Sequence, residues 1–321
     1  MAQIDVVGFG AMNIDRLYRV DKLVIDGEQL VTDSVSVPGG SAANTIYGLA
    51  KLGVKTGFVG AVGEDEAGEQ LLYDFNTAAV DTSQVKVKDI ATGSTICFSD
   101  KLGRRAIYVS PGANSLLNSK DIDLAYFTRA KIVHLTSFVD DRQFKLQIEV
   151  ARRLKNSVKF GFSPGMLYIA KGLKVLEPLF ESAHIVFMNR DEIEKLTGKG
   201  FKAGARGLAK LGCRVVVVTL GKGIAKGKSA MVTTHICDRD KEYEIESQRL
   251  SLKSRLETTG AGDAFAAGFL FGFLKDKEVE ECGLLGNIMA GFTIAKAGAR
   301  TGLPTLAQLS QKYFEHSGHR L

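Results

Sequence analysis

Short apolar segments rich in β-branched residues alternate with longer segments of helical periodicity along most of this chain, and this alternation limits its fold more than any other feature. We predict five strands buried on both faces: IDVVGF (4–9), KIVHLT (131–136), SVKFGF (157–162), AHIVFM (183–188) and CRVVVVTL (213–220). We predict helices at 41–52, 65–78, 141–155, 190–197 and 201–211. Strand–helix–strand repetition with short connections predicts right-handed crossovers and an α/β fold with a mostly parallel central sheet. Ligands of such sheets bind beyond the carboxyl ends of the strands, so the residues that follow each strand are the candidates for a site.

Two segments, 13–37 and 93–110, break this alternation. Both alternate polar and apolar residues with turn residues in between, which is typical of β-hairpins. Neither can bury a core alone, so we predict that together they form a small antiparallel flap beside the main body. No linker, internal repeat or low-complexity segment interrupts the sequence, and residues 1–321 are predicted to form a single domain.

The composition excludes several classes of function. With 45% hydrophobic and 24% charged residues the chain resembles ordinary globular proteins, and its longest apolar stretch, around 265–274, is too short to cross a bilayer. The segment MAQIDVVGFG lacks the features of a signal peptide, and the four cysteines lack metal-binding spacing, so we expect a cytoplasmic protein with no membrane partner. The net charge of +6 is dispersed, which favours a small anionic ligand over nucleic acid.

Two glycine-rich segments resemble nucleotide sites of other folds but differ in detail. GFGAMN, at 8–13, ends in Asn13 where a dinucleotide fingerprint has glycine, and it runs into an alternating segment instead of a helix. LGKGIAKGKS, at 220–229, has five residues between Gly221 and Gly227 and three after Gly223, where a P-loop requires four. A strand-like segment also follows it. We therefore expect neither a nicotinamide-dependent dehydrogenase nor a P-loop enzyme.

The segment ETTGAGDAFAAGFLFGFL, at 257–274, places one carboxylate at the start of an apolar helix. The small residues Gly260, Ala261 and Gly262 let backbone N–H groups point inward there, which forms an anion pocket reinforced by the helix dipole. Asp263 follows in the first turn, where an ordinary helix-start acid is the simpler interpretation. The rest of the helix is apolar on nearly every face, which predicts burial. A buried anion pocket beside a carboxylate suits transfer of a phosphoryl group to a hydroxyl, whose proton the carboxylate accepts.

A second glycine pair agrees with this interpretation. PGGSAANTIYGLAKLG, at 38–53, places Gly39 and Gly40 in a tight turn before a helix of small residues. Bare backbone at this pair lets a ligand approach closely, and Asn44 offers a donor and an acceptor one helical turn later.

GGSAANTIYGLAKLG and TTGAGDAFAAGF, in this order, resemble the two signature regions of the ribokinase-like (PfkB) carbohydrate and nucleoside kinases. The resemblance extends over essentially the whole chain. It implies a ribokinase-like three-layer fold, in which the flap is a β-sheet lid over the substrate. It also implies an ATP- and Mg²⁺-dependent kinase that phosphorylates a hydroxyl of a small sugar or sugar-like polyol.

The resemblance assigns roles to particular residues. It implies that Asp263 is the catalytic base and that Gly260, Ala261 and Gly262 form the anion hole. The residues implied to bind substrate hydroxyls are Asn13, Asp15, Gly39, Gly40 and Asn44. The residues implied to bind the nucleotide are Asn189, Thr219, Gly221, Gly223 and, in the segment 287–299 that borders the adenine, Asn287. Glu192 is implied to hold Mg²⁺, largely through water, although Asn189 and Glu192 also fit an ordinary N-capped helix.

Three departures from the family pattern bear on the substrate and on ions. Glu257 stands where family members usually have Asp and where a monovalent cation can bind, so we expect little activation by potassium. Ser41 stands where ribokinases carry Lys, and no Glu is present near Thr136, so ribose is not the expected acceptor. Arg104 and Arg105, in the flap, would meet an anionic group or be solvated.

Several alternatives stay open. A nucleoside kinase of the same family would need an apolar pocket for the base, which Phe98, Tyr108 and Phe138 would supply. A non-catalytic ligand-binding regulator would require loss of the base or of the anion pocket, and both are present. An exposed lid edge is a pairing surface, which together with the resemblance predicts a homodimer through the lid.

Overall fold

The computed structural model describes residues 3–102, 104–154, 156–227, 230–239, 241–248 and 259–321. Thirteen strands lie in these ranges: β1 (Ile4–Phe9), β2 (Asn13–Val20), β3 (Val31–Gly39), β4 (Thr56–Gly63), β5 (Asp81–Lys88), β6 (Gly93–Ser99), β7 (Arg105–Ser110), β8 (Ala130–Thr136), β9 (Lys159–Ser163), β10 (Ile185–Asn189), β11 (Val215–Lys226), β12 (Ala230–Asp238) and β13 (Lys241–Gln248). Eleven α-helices lie there too: α1 (Ser41–Lys51), α2 (Glu66–Thr77), α3 (Leu124–Phe127), α4 (Asp141–Leu154), α5 (Gly165–Ile169), α6 (Leu173–Phe180), α7 (Arg190–Thr197), α8 (Phe201–Lys210), α9 (Ala261–Leu274), α10 (Val279–Thr293) and α11 (Leu306–Ser317). Within the described ranges, no helix is both long enough and apolar enough to cross a membrane.

Nine of the strands form the central sheet, in the order β13-β12-β11-β10-β9-β8-β1-β4-β5. All neighbouring pairs from β11 to β5 are parallel, and β12 and β13 add an antiparallel edge. This arrangement confirms the predicted α/β fold, and all five predicted strands and all five predicted helices are present. The sequence pattern does not predict β4, TGFVGAVG, although every residue of it is buried, because its glycines weaken the β-strand signal.

Helices cover both faces of the central sheet, which gives three layers. Alternate side chains of β1 point to opposite layers. Val6 packs in an apolar cluster with α1, α9 and α10, whereas Val7 and Phe9 pack in a second cluster with α4, α6 and α8. Because both faces are covered, the strands are continuously apolar, which is the pattern that the sequence shows.

The other four strands form a small sheet, here called the lid, in the order β3-β2-β6-β7. The pairs β2–β3 and β6–β7 are antiparallel, as predicted for 13–37 and 93–110, whereas β2 and β6 pair in parallel. Asn13, the first residue of β2, lies opposite both Gly39 of β3 and Gly93 of β6. The base of the lid therefore lies just beyond the carboxyl end of β1, where a ligand is expected.

Helix α9 packs against both α1 and α10. Small residues allow this close approach: a Cβ on Gly268 would lie 2.5 Å from the backbone oxygen of Leu285, and a Cβ on Gly48 of α1 would lie 3.0 Å from Ala267 Cβ. The apolar character of α9 on every face follows from this burial. The packing brings the start of α9 beside the start of α1.

Candidate active site

Asp263 lies in the first turn of α9 and is held by the first turn of α1. The Ser41 hydroxyl donates to Asp263 Oδ1 at 2.6 Å, and Asn44 Nδ2 donates to Asp263 Oδ2 at 2.9 Å. Thr45 Oγ1 donates to the backbone oxygen of Asp263 at 3.3 Å. The two glycine-rich segments singled out in the sequence therefore meet in space, and one of them orients the carboxylate of the other.

Two carboxyl groups in this region have raised pKa values. Burial raises the pKa of Asp263 to about 6; the hydrogen bonds from α1 and the charge of Arg300 oppose this rise, and the charge of Asp15 adds to it. Burial likewise raises the pKa of Asp15 to about 6, against a hydrogen bond with Thr95 and the charge of Arg300. A carboxylate whose pKa lies near the working pH is suited to accept a proton in catalysis.

The start of α9 is open and has the form of an anion pocket. Gly260 adopts a left-handed φ of 77°, and a Cβ there would lie 2.3 Å from Ala299 Cβ, so only glycine fits. A Cβ on Gly262 would meet no other described atom within 4 Å. The N–H groups at 261–263 have no acceptor within the helix, and no described side chain caps it. These N–H groups, at the positive end of the helix dipole, suit a phosphate-like anion.

Asp15 and the glycine pair lie at the base of the lid. A Cβ on Gly39 would lie 2.2 Å from Asp15 Cγ, and a Cβ on Gly40, whose φ is 92°, would lie 2.2 Å from the backbone oxygen of Ala11. We expected bare backbone here for the approach of a ligand. The structure shows a further reason why glycine is needed at both positions: the Asp15 carboxylate lies too close to Gly39, and the backbone after β1 too close to Gly40, to leave room for a side chain.

Asn13 is oriented by Asn114, a residue that the sequence analysis missed. The Met12 N–H donates to Asn114 Oδ1 at 3.0 Å, which fixes the direction of the Asn114 amide. Asn114 Nδ2 then donates to Asn13 Oδ1 at 3.0 Å, and Asn114 is only 3% exposed. Asn13 therefore offers its amide nitrogen, rather than its oxygen, to a ligand.

Asn44 is buried, and both ends of its amide are bound to other side chains. Its Nδ2 donates to Asp263, and its Oδ1 accepts from Arg300 Nε at 2.9 Å. We predicted that Asn44 binds substrate hydroxyls; the structure shows it supporting the Asp263 carboxylate. Arg300 is a second residue that the sequence analysis missed, although it directly follows the segment 287–299.

Asn189 and Glu192 form the N-terminal capping box of α7. Asn189 Oδ1 accepts from the Glu192 N–H, and Glu192 Oε2 accepts from the Asn189 N–H, both at 2.8 Å. Burial raises the pKa of Glu192. In the described part of the chain, no group of three or more His, Cys, Asp or Glu side chains could hold a metal ion. Mg²⁺ commonly keeps several waters and relies on substrate phosphates and one or two carboxylates, and a partly exposed Glu192 fits that chemistry.

The other residues predicted to bind the nucleotide lie along β11 and α10. Thr219, within β11, pairs with Asn189, the last residue of β10, where the parallel pairing of these two strands ends. Beyond Thr219 the ladder is irregular up to residue 224, and Gly221 and Gly223 have φ values of 59° and 80°. Asn287 of α10 binds β12 through its whole amide, accepting from Thr234 Oγ1 and donating to Thr233 Oγ1, both at 2.9 Å. The structure thus brings Asn189, Thr219 and the two glycines to one edge of the sheet.

The two lid arginines differ in their contacts. Arg104 forms an ion pair with Asp100 of the same hairpin at 2.7 Å. Arg105 Nη1 donates to Thr259 Oγ1 at 3.2 Å, so the lid contacts the residue that precedes the anion pocket. Glu257, the position tied to monovalent cations, lies outside the described residues.

Comparisons with known proteins agree with the geometry. A family model described as pfkB family carbohydrate kinase matches residues 3–306. An uncharacterized sugar kinase of Archaeoglobus fulgidus is 38% identical over 260 residues, which cover 80% of this chain and 98% of the relative. A nucleoside kinase of Methanocaldococcus jannaschii is 26% identical over 319 residues, 98% of each chain. The solved structure of Arabidopsis thaliana ribokinase complexed with ribose and ATP superposes with a TM-score of 0.79 at 25% identity, covering 99% of this chain and 100% of the other.

Proposed function

The chain belongs to the pfkB family of carbohydrate kinases, which are phosphotransferases with an alcohol acceptor. From this premise we propose that it transfers the γ-phosphoryl group of ATP to a hydroxyl of a small sugar or sugar-like polyol. Mg²⁺ is the proposed cofactor. The observation that carries the proposal is the Asp263 carboxylate, held by two donors of α1 beside an open helix N-terminus. The ribokinase that is similar to this chain and was solved with ribose and ATP supports the choice of nucleotide.

In the proposed reaction the acceptor hydroxyl lies between Asp263 and the lid. Asp263 takes the hydroxyl proton as the oxygen attacks the γ-phosphorus, the bond from that phosphorus to the β,γ-bridging oxygen breaks, and ADP leaves. The N–H groups of 261–263 donate to the oxygens of the migrating phosphoryl group. Asn13 and Asp15, at the base of the lid, bind other hydroxyls of the acceptor.

In this proposal the nucleotide binds beyond the carboxyl end of β10, where the parallel pairing of β10 with β11 ends. Asn189 and Thr219 are neighbours there, and Gly221 and Gly223 leave the regular ladder, which lets phosphate and ribose approach the backbone. The segment that begins at Asn287 borders the adenine. Glu192 would hold Mg²⁺ through water, and the bound ion would neutralise part of the phosphate charge.

The side chains at two positions indicate that the acceptor is not ribose. Ser41 is engaged with Asp263, and Thr136 is buried with its Oγ1 accepting from the Ala42 N–H at 3.1 Å. Neither position offers the charged side chain expected of a ribokinase. We therefore propose another sugar or polyol as the acceptor.

A nucleoside acceptor is the second candidate, and the strand register of the lid favours it. On the Asp15 face of the lid, the residues in the cross-strand rows of Asp15 and Leu17 are apolar or small: Leu17, Val35, Val37, Thr95, Cys97, Ile107 and Val109. The next row on this face is polar and holds Arg19, Asp33, Ser99 and Arg105. Such a surface suits the flat face of a base. The residues we expected to line this pocket do not: Phe98 and Tyr108 lie on the opposite face of the lid, and Phe138 is buried in the core beside Phe9.

A phosphorylation screen tests the proposal. The protein is incubated with ATP and Mg²⁺ and with pentoses, hexoses, ketodeoxy acids or nucleosides, and ADP release is followed together with the mass of the product. We expect turnover of one of these classes other than ribose, with the mass increase of one phosphoryl group. Turnover of ribose alone would contradict the argument from Ser41 and Thr136. ADP release that persists in Asp263→Asn would point to a contaminating kinase.

A further inference from the structure

Arg300, which follows α10, contacts three other elements beside the site. Its side chain is buried, at 7% exposure. Nε donates to Asn44 Oδ1 of α1 at 2.9 Å, and Nη2 donates to the backbone oxygen of Gly39, at the end of β3, at 3.2 Å. Nη1 forms an ion pair with Asp74 of α2. Every hydrogen-bonding edge of the guanidinium is therefore in use, and two of its acceptors belong to the glycine-rich segment at the base of the lid.

Arginine has donors only, and this decides which way the Asn44 amide faces. With Oδ1 turned towards Arg300, the NH2 group of Asn44 faces Asp263 and donates to its carboxylate. A flipped amide would place its carbonyl oxygen against the carboxylate, which is repulsive. The guanidinium itself cannot rotate freely, because it lies over the rings of Tyr47 and Phe75, 5.1 and 5.3 Å from their centroids.

The charge of Arg300 acts on the same carboxyl groups. It lowers the pKa of Asp263 and of Asp15, against the larger effect of burial. The titratable groups that interact with Arg300 are Asp74 of α2, Tyr47 of α1, Asp15 of β2 and Asp263 of α9. Asp74 pairs directly with the guanidinium, which a buried cation requires.

Given the kinase reaction proposed above, on which this inference rests, we propose that Arg300 is a positioning residue for phosphoryl transfer. It fixes the orientation of the Asn44 amide, so that the Asp263 carboxylate is held with a lone pair free to accept the proton of the acceptor hydroxyl. It also fixes the position of the Gly39 carbonyl at the base of the lid. Its influence reaches the reaction through Asn44 and Gly39.

The test compares two variants. Arg300→Gln combined with Asp74→Asn removes both charges of the pair and keeps hydrogen-bonding groups in their place. We expect kcat to fall roughly 10- to 100-fold, the range for misplaced catalytic groups, with the KM for ATP little changed. Loss of the cation raises the pKa of Asp263, so the acid limb of the pH profile of kcat/KM moves to higher pH. Arg300→Lys keeps the charge, but one ammonium cannot span three acceptors, so kcat falls while the acid limb stays in place.

Lys51→Met is the matched control. Lys51 Nζ donates to the backbone oxygen of Leu303 at 2.6 Å, so it ties the segment after Arg300 to α1 without touching Asn44 or Asp263. We expect this variant to lose some stability and to keep both kcat and the acid limb. A folded double variant with kcat within about threefold of wild type and an unmoved acid limb would overturn the proposal. If the double variant does not fold, an Arg300→Lys variant with wild-type kcat would overturn it instead.

A measurement without substrate separates this inference from the proposed function. The Asp263 carboxyl is titrated by ¹³C NMR in aspartate-labelled protein and assigned with Asp263→Asn. We expect a higher pKa in the double variant than in wild type and in Lys51→Met. An unchanged titration would count against Arg300 even in an active kinase, whereas a shifted titration in a protein with no kinase activity would count against the proposed function alone.

Discussion

Asp263 has two interpretations at the scale of one residue, and its surroundings distinguish them. A helix-start acid stabilises a helix and has a lowered pKa, because the dipole favours the charged form. Here burial raises the pKa of the carboxyl to about 6, and its donors come from α1 rather than from its own helix. The ionised form therefore costs the folded protein stability above pH 6, which is unusual for a capping residue and common for a catalytic one.

We predict that Asp263→Asn gives a stable protein with little activity. At pH 8 the melting temperature should not fall, since the variant removes a destabilising charge. The kcat should fall about 10²- to 10⁴-fold, while the affinity for ATP is kept. Melting temperature, ATP binding and kcat are measured on one preparation. A variant that keeps more than about a tenth of the wild-type kcat would remove Asp263 as the base.

The sequence predicts the residues whose type and local spacing carry the chemistry, and it misses those that act only through a distant partner. Asp263 and the glycine pair stand in short segments with recognisable spacing. Asn114 and Arg300 carry no such signal, because their partners Met12 and Asn44 are 102 and 256 residues away along the chain. For the same reason the sequence does not reveal that Asn44 is bound at both ends.

At the scale of one element, strand β8 carries a buried histidine in the core. His134 is fully buried, neither ring nitrogen has a hydrogen-bond partner among the described residues, and its ring lies edge-on to Phe187. Burial lowers the pKa of His134 to about 3. Between pH 6.5 and 3 the unfolded chain therefore binds a proton at this residue that the folded protein does not.

We predict that this histidine makes the protein less stable as the pH falls below 6.5. Over 1.5 pH units the loss is about 2 kcal/mol. His134→Leu should remove that part of the pH dependence, so that its stability relative to wild type improves from pH 7 to pH 5 in urea unfolding. Asp15 and Asp263 change the stability with pH in the opposite direction, but they do so equally in wild type and in His134→Leu, so their effect cancels in the comparison. His316→Gln, on α11, is the control for loss of a histidine, and equal pH slopes for wild type and His134→Leu would refute the argument.

The sequence predicts an element well where the segment is apolar and β-branched. It predicts less well the features that depend on which strands pair with each other. β1 and α7 have the bounds expected from their patterns. The parallel pairing of β2 with β6 has no signal in either segment, because it depends on how the two hairpins leave the central sheet. The side of the lid on which Phe98 and Tyr108 lie depends on that register too, and the expectation for them was wrong for that reason.

At the scale of the whole molecule, the lid has two edge strands, β3 and β7, that pair with no further strand among the described residues. Large apolar side chains on them are exposed, among them Val31 of β3 at 41% and Tyr108 of β7 at 64%. We predict a homodimer through the lid, since unpaired edges with apolar side chains associate readily. Light scattering at roughly tens of micromolar should give twice the chain mass, and Tyr108→Glu should shift the mass towards one chain. A wild-type monomer at that concentration would contradict the prediction.

The contacts that hold Asp263 and Arg300 also govern when the protein becomes competent during its synthesis. Ser41 meets Asp263 across 222 residues, and Gly39 meets Arg300 across 261. Contacts of such separation form late, because the loop between the partners must close first. A nascent chain can therefore assemble the lid and the first strands of the central sheet while the carboxylate and its supporting arginine are still untranslated. Premature termination between the end of α10 and residue 300 leaves a polypeptide with most of the elements of the fold but without the arginine that supports the site.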